Sequence, residues 1–422
     1  MTKYAALDWV YVDTNIPAEL ITKEYILELQ ANGLWPKSGE KLDLSDEKYT
    51  KFNEITARHI KDIEQYKKPG GSAFNTLSTV SEALGSPVTL VAYVGTKTNA
   101  QVIRSRVEEL PNFKIMPEFA GTAYEDDILT PSANVINFYE GNDGNIYVES
   151  EKADAEARGI KLNKQKINFK HPGRGGDFIS KEDIRDAIKE CDVFFLAGGV
   201  IDKYGIDIFE FTLKECLAQG KEICFALPTT IQTTVDNSDL IKEILMKHAS
   251  ITLSNRKELA PLFGLSHNET LAVVAAHLED MLSGNKNNFH GDKASAFFTD
   301  DANPGCLVNH SSQIDDSVMS NERIPIWPLD DKKIVAKNGC GDASYAGYLI
   351  GLELGLSHRD AALLAMRFSA ANIQVNEART PNPKEILGEF GYDPAQKPVI
   401  AHGKIIKAFQ CDKQELALAH AA

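Results

Sequence analysis

The chain has 422 residues, 43% hydrophobic and 25% charged, with 60 acidic against 45 basic side chains and a formal net charge of −15. That is an ordinary globular composition, long enough for one large α/β domain with insertions or for two domains. The acidic balance speaks against a nucleic-acid groove and an anionic membrane surface, but not against a phosphorylated ligand, which needs only a few local donors. Six scattered cysteines without a CxxC pair point to free thiols in a reducing compartment. The start, MTKYAALDWVYV, lacks a signal-peptide layout, and no apolar stretch reaches the roughly 18 residues a membrane helix needs. The expectation is a soluble cytoplasmic protein.

In chain order, AALDWVYVD (5–13) reads as a buried first strand ending at Asp13. Residues 18–65 are more polar, with helical spacing in AELITKEYILELQ and in SDEKYTKFNEITARHIKDIEQY. KKPGGSAFNTLSTVSEALG joins a glycine turn to a periodic helix and a terminal glycine, and PVTLVAYVG is the next strand. ANVINFYEGNDGNIYVES predicts a hairpin around GNDGN. Residues 151–180, charged and glycine-rich with little pattern, read as a surface insertion. Strand and helix patterns then alternate from DVFFLAGGV to KASAFFTD. Such alternation predicts βαβ units: a doubly wound, mostly parallel sheet with helices on both faces. Residues 280–335 hold two polar loops, and HRDAALLAMRFSAANIQVNE is a late amphipathic helix. Ligands of such sheets sit beyond the carboxyl ends of the strands, where Asp13, Gly70, Gly71, Asn255 and Asp342 fall.

Three short stretches carry chemistry. In NGCGDAS (338–344), the amides of Gly339, Cys340 and Gly341 at a helix start can form an anion pocket, with Asp342 beside it. A hydroxyl held near Asp342 could pass it a proton as its oxygen attacks phosphorus, and the helix end should keep that carboxylate ionised. Taken alone, the stretch is also what a turn and cap would give. A dinucleotide fingerprint would need glycine at 344, where Ser344 stands, and neither GxxxxGK[ST] nor GxSxG occurs. In PGGSAFN, Gly70 and Gly71 permit close backbone approach, and Asn75 offers a donor and an acceptor suited to sugar hydroxyls. In SNRKE, Asn255 and Glu258 can share a helix face and offer oxygen to a hard cation such as Mg²⁺, or simply begin a solvated helix. FFTDDANPG ends a strand at Thr299 and turns at Gly305.

The order GGxxxN, NxxE, T-loop-G and GxGD-helix resembles the PfkB (ribokinase-like) kinase family from about residue 5 to about residue 385. Within it, DWVYVD, GGSAFNT and NGCGDAS are most similar to nucleoside kinases of the inosine–guanosine and adenosine type. The resemblance implies an ATP-dependent transfer of the γ-phosphate to the 5′-hydroxyl of a purine nucleoside, with a sugar kinase as the alternative. By it, Asp342 is the base, and the amides of Gly339, Cys340 and Gly341 hold the moving phosphoryl group. Asp13, Gly70, Gly71 and Asn75 hold ribose, Asn255 and Glu258 the Mg²⁺–phosphate, and Thr299, Gly305 and Asn372 the nucleotide. The implied architecture is a large α/β domain (1–17, 66–115 and 150–422) with a small β-containing lid (18–65 and 116–149), as monomer or homodimer. Two departures fall on the nucleotide and monovalent-cation side: Ala336 and Lys337 stand where the family has Asp-Thr, and Asp300-Asp301 where a glycine comes early. They leave the phosphate donor and any K⁺ dependence open.

Overall fold

The computed structural model describes residues 1–422 apart from 9, 36–40, 93, 95–97, 117–131, 172–178, 229, 284–294, 301–302, 311–318, 331–332, 336–338, 376–379, 393–404, 406, 411 and 413–422. Its strands are β1 (Tyr4–Leu7), β2 (Tyr11–Ile16), β3 (Lys41–Asp43), β4 (Lys67–Gly70), β5 (Val88–Val91), β6 (Phe113–Met116), β7 (Ser132–Gly141) and β8 (Ile146–Tyr147). They continue with β9 (Leu162–His171), β10 (Val193–Ala197), β11 (Glu222–Ala226), β12 (Ala249–Asn255), β13 (Ser295–Asp300), β14 (Asn303–His310) and β15 (Met319–Ile324).

Nine of them form one sheet in the order β15-β14-β13-β12-β11-β10-β1-β5-β6. From β6 to β13 every pairing is parallel, and β14 and β15 close the far edge antiparallel. The order runs outward from β1 in two directions, so right-handed crossovers put the helices on both faces and open a crevice where the direction reverses. Apolar strands such as VFFLA and EICFA suit that double burial; Phe194, Phe195, Phe225 and Phe297 are fully buried in the main core.

The second sheet has the order β3-β9-β7-β2-β4, with β8 pairing β7 as the hairpin reading expects. Its core is separate: Ile16, Ile136, Ile167 and Phe169 pack against Tyr25, Leu29 and Phe52 of the helices Lys23–Ala31 and Asp46–His59. Phe52 and Phe169 pack with their rings tilted and the centroids 4.6 Å apart.

Three readings of the sequence are corrected here. The stretch 5–13 is two strands in different sheets, because the chain breaks at Asp8 and crosses from β1 into β2. Part of the expected insertion 151–180 is β9, a ten-residue strand inside the small sheet, whose Ile167 and Phe169 are fully buried; the charges on alternate positions masked its period. The small sheet therefore also takes 11–16, 67–70 and 162–171, which had been assigned to the large domain. Within 280–335, β14 and β15 replace much of what read as polar loop.

Candidate active site

A cavity of about 1070 Å³ opens beyond the carboxyl ends of β1 and β10 to β13, between the two sheets. Asp8, Ala197, Gly198, Ala226, Leu227, Asn255 and Thr299 line it from those strand ends. Asp43 and Lys170 line it from the small sheet, and Gly339 to Asp342 from the start of the helix Cys340–Glu353.

That helix begins on Gly339, whose φ of 72° is the left-handed region that glycine occupies without strain. Its first-turn amides have no partner within the helix and point the positive end of the dipole into the cavity. A Cβ placed on Gly341 would meet nothing within 4 Å, so protein packing does not require glycine there, and the residue lines the cavity. Further along, a Cβ on Gly347 would come within 2.8 Å of the Ala365 Cα, and one on Gly351 within 2.7 Å of the Ala361 Cα. These small residues seat the helix tightly on the following helix, His358–Asn372, and so hold the turn rigid.

Asp342 faces the first turn of the helix Ser72–Leu84. The Ser72 hydroxyl donates to its Oδ1 at 2.6 Å, the Asn75 amide donates to its Oδ2 at 2.9 Å, and the Thr76 hydroxyl donates to its backbone oxygen at 3.3 Å. Burial pushes its carboxyl from 3.8 up to about 7, with Asp8 adding to the rise and the two donors opposing it. Burial thus acts against the helix end, which is expected to favour the ionised form. A carboxylate poised near neutrality is suited to accept a proton from an alcohol.

Asn255 and Glu258 line the cavity while capping the helix Arg256–Leu259. The Glu258 amide donates to Asn255 Oδ1 at 3.0 Å, and the Asn255 amide donates to Glu258 Oε2 at 3.1 Å, the reciprocal pattern of a capping box. Burial, with Asp342 adding to it, pushes Glu258 from 4.5 up to about 8. Among the described residues no group of three His, Cys, Asp or Glu side chains could hold a metal ion. The oxygen donors here instead fit a hard cation carried mainly by phosphate and water, since a positive charge would relieve the cost of ionising Glu258. On the same side, Ile326, Trp327, Leu329, Met366, Ala370 and Ile373 form an apolar wall.

The structure thus gathers Asp342, Gly339, Cys340, Gly341, Asn255, Glu258 and Thr299 around one cavity. Asp13, Gly70 and Gly71 sit beside the lining residues Tyr11 and Ser72: Tyr11 pairs with Gly70, and a Cβ on Gly70 would lie 2.5 Å from the Asp13 Oδ2. Asn75, 3% exposed, is turned onto Asp342 rather than into the cavity, so it holds the carboxylate instead of presenting both polar atoms to a sugar. Gly305 lies within β14, not in a turn, and packs behind the cleft against the Phe298 oxygen and Met366. Asn372 is fully buried, and its neighbours Ser369, Ala370 and Ile373 do the lining. Asp300 pairs with Arg256; Asp301, Ala336 and Lys337 lie outside the described residues. The sequence reading missed Asp8, Ser72, Lys170 and the IPIWPL segment. Asp8 and Ser72 both lie inside stretches that carry the family resemblance, DWVYVD and GGSAFNT, which is the signal that could have found them.

Adenosine kinase from Schistosoma mansoni in complex with 2-fluoroadenosine superposes with a TM-score of 0.64 at 16% identity, covering 90% of this chain and 98% of that one. Adenosine kinase from Sinorhizobium meliloti gives 0.63 at 15%, covering 92% and 98%. A probable sugar kinase protein from Rhizobium etli CFN 42 gives 0.62 at 15%, covering 93% and 99%. At such identities the likeness carries the fold. No curated protein sequence matches the chain. The doubly wound sheet, with a carboxylate at the head of an open anion turn, is that of a phosphotransferase with an alcohol group as acceptor. The chain belongs to the pfkB family carbohydrate kinases, whose pattern matches residues 145–385.

Proposed function

We propose that the protein is an ATP-dependent nucleoside kinase that phosphorylates the 5′-hydroxyl of a purine nucleoside such as inosine, guanosine or adenosine, in cytoplasmic purine salvage. The observation that carries the kinase chemistry is the meeting of Asp342, the amides of its own helix start, and the Ser72–Asn75 turn at one cavity. The order of motifs carries the choice of acceptor.

In this reading Asp342 takes the hydroxyl proton as the acceptor oxygen bonds to the γ-phosphorus and the bond to the ADP oxygen breaks. The amides of the Gly339–Asp342 turn receive the charge on the moving phosphoryl oxygens, and positioning supplies most of the rate. Asn255 and Glu258 would hold Mg²⁺ through its water and phosphate oxygens; when bound, it neutralises charge on the phosphates. The apolar wall around Trp327 takes the base of ATP, and the small sheet, with Asp13 and the Gly70–Gly71 turn, closes over the acceptor and excludes water. Free buried thiols at Cys191, Cys216, Cys224 and Cys306 fit a reducing compartment. Among the described residues no helix is long and apolar enough to cross a membrane.

A second reading, a kinase of a free sugar or sugar phosphate, is favoured by the charged lining of Asp43, Lys170, Asp202 and Lys203. ADP release measured across purine nucleosides, pyrimidine nucleosides, ribose and sugar phosphates decides between them. Turnover of a purine nucleoside with formation of its 5′-monophosphate is expected; turnover confined to sugars overturns the first reading.

A further inference from the structure

The helix Ser72–Leu84 starts on Gly71, which has no side chain to cap it, and no side-chain cap from its own N-terminal residue is made. The cap comes from far away in sequence. The Ala73 amide donates to Asp8 Oδ2 at 2.7 Å, and the Phe74 amide donates to the same oxygen at 3.2 Å. A serine at a helix start ordinarily satisfies that helix's own amides. With Asp8 doing so, Ser72 is released to donate to Asp342, one residue before the amides Asp8 occupies, and Asn75 donates to the other Asp342 oxygen. One helical turn therefore grips two carboxylates, Asp8 by its main chain and Asp342 by its side chains. Both line the cavity.

We propose that Asp8 is a positioning residue for the transfer: by capping this helix from the end of β1 it fixes the donors that hold Asp342. This rests on Asp342 acting as the base. Other groups acting on the same region are Tyr11 and Asp13 from β2, Glu258 from the helix after β12, and Cys340 and Tyr345 from the helix of Asp342 itself. Of these carboxylates, Asp8 is the one that shares its helix start, and its charge adds to the burial that raises Asp342.

The test is the pH profile of kcat/KM for the acceptor in the full-length protein, comparing wild type with Asp8→Asn. Asparagine keeps an oxygen for the two amides and removes the charge. The acid limb is expected to move down by roughly half a unit to one unit, with circular dichroism and acceptor KM near wild type. A limb that stays in place in the folded variant overturns the proposal. Ser72→Ala, which leaves Asp8 intact and removes a donor to Asp342, is expected to move the limb upward and carries the test if Asp8→Asn does not fold; an unmoved limb there overturns it as well. Asp342→Asn separates the two levels. Full activity in that variant sinks the base assignment, whereas lost activity there with unmoved limbs in the other two sinks only the role of Asp8.

Discussion

The large sheet is buried between helices on both faces, whereas the small sheet gives one face to its own two helices and the other to the cleft. Lys68, Asp13, Ala133, Lys170 and Asp43 are successive register partners across β4, β2, β7, β9 and β3, so they share that cleft-facing row. Asp342, the proposed base, and its glycine turn stand on the large domain, where the Gly347–Gly351 seam and the Ser72–Asn75 clamp hold them still. The charged row stands on the smaller core, which has less packing to resist movement. On the proposed function, the contrast puts the reaction on the more tightly packed side and the choice of acceptor on the smaller one.

Several substitutions break or sharpen that contrast. The largest effect is expected from Asp342→Asn, with a fall in kcat of about 10³-fold or more and little change in acceptor affinity by calorimetry, because in the proposed function the lost charge acts on the hydroxyl proton. Gly341→Ala comes next. Its methyl meets no protein atom within 4 Å, so thermal melting should match wild type, yet on a cavity-lining turn proposed to hold the phosphoryl group it should lower kcat by about 10²-fold in steady-state assays. On the small sheet, Lys170→Ala should raise the acceptor KM about tenfold while leaving the ATP KM and kcat within about threefold; an equal loss in kcat would erase the division between the two regions.

The smallest effect concerns stability. Between 3.8 and about 7 the folded protein keeps a proton on Asp342 that the unfolded chain has released, so this group's contribution makes the fold less stable as pH rises through that window. Asp342→Asn should therefore stabilise the protein more at pH 8 than at pH 4, read from denaturant unfolding at the two pH values. A gain that is equal at both would mean the carboxyl is not desolvated as described.

What the sequence determined by itself was the alternation of elements from β10 to β13, the glycine turns, and the acidic residue on the helix that follows the second of them. Each is written in neighbouring residues: a buried strand needs a continuous apolar run, and a tight turn needs glycine. The tertiary structure alone decided the rest. It split 5–13 between two sheets, drew 162–171 into the small one, turned Asn75 from the cavity onto Asp342, and brought Asp8 to cap a helix that begins 64 residues later. Strand partners and the proton affinity of Asp342 depend on what packs around a residue once water is excluded, and nothing in the local chain records that.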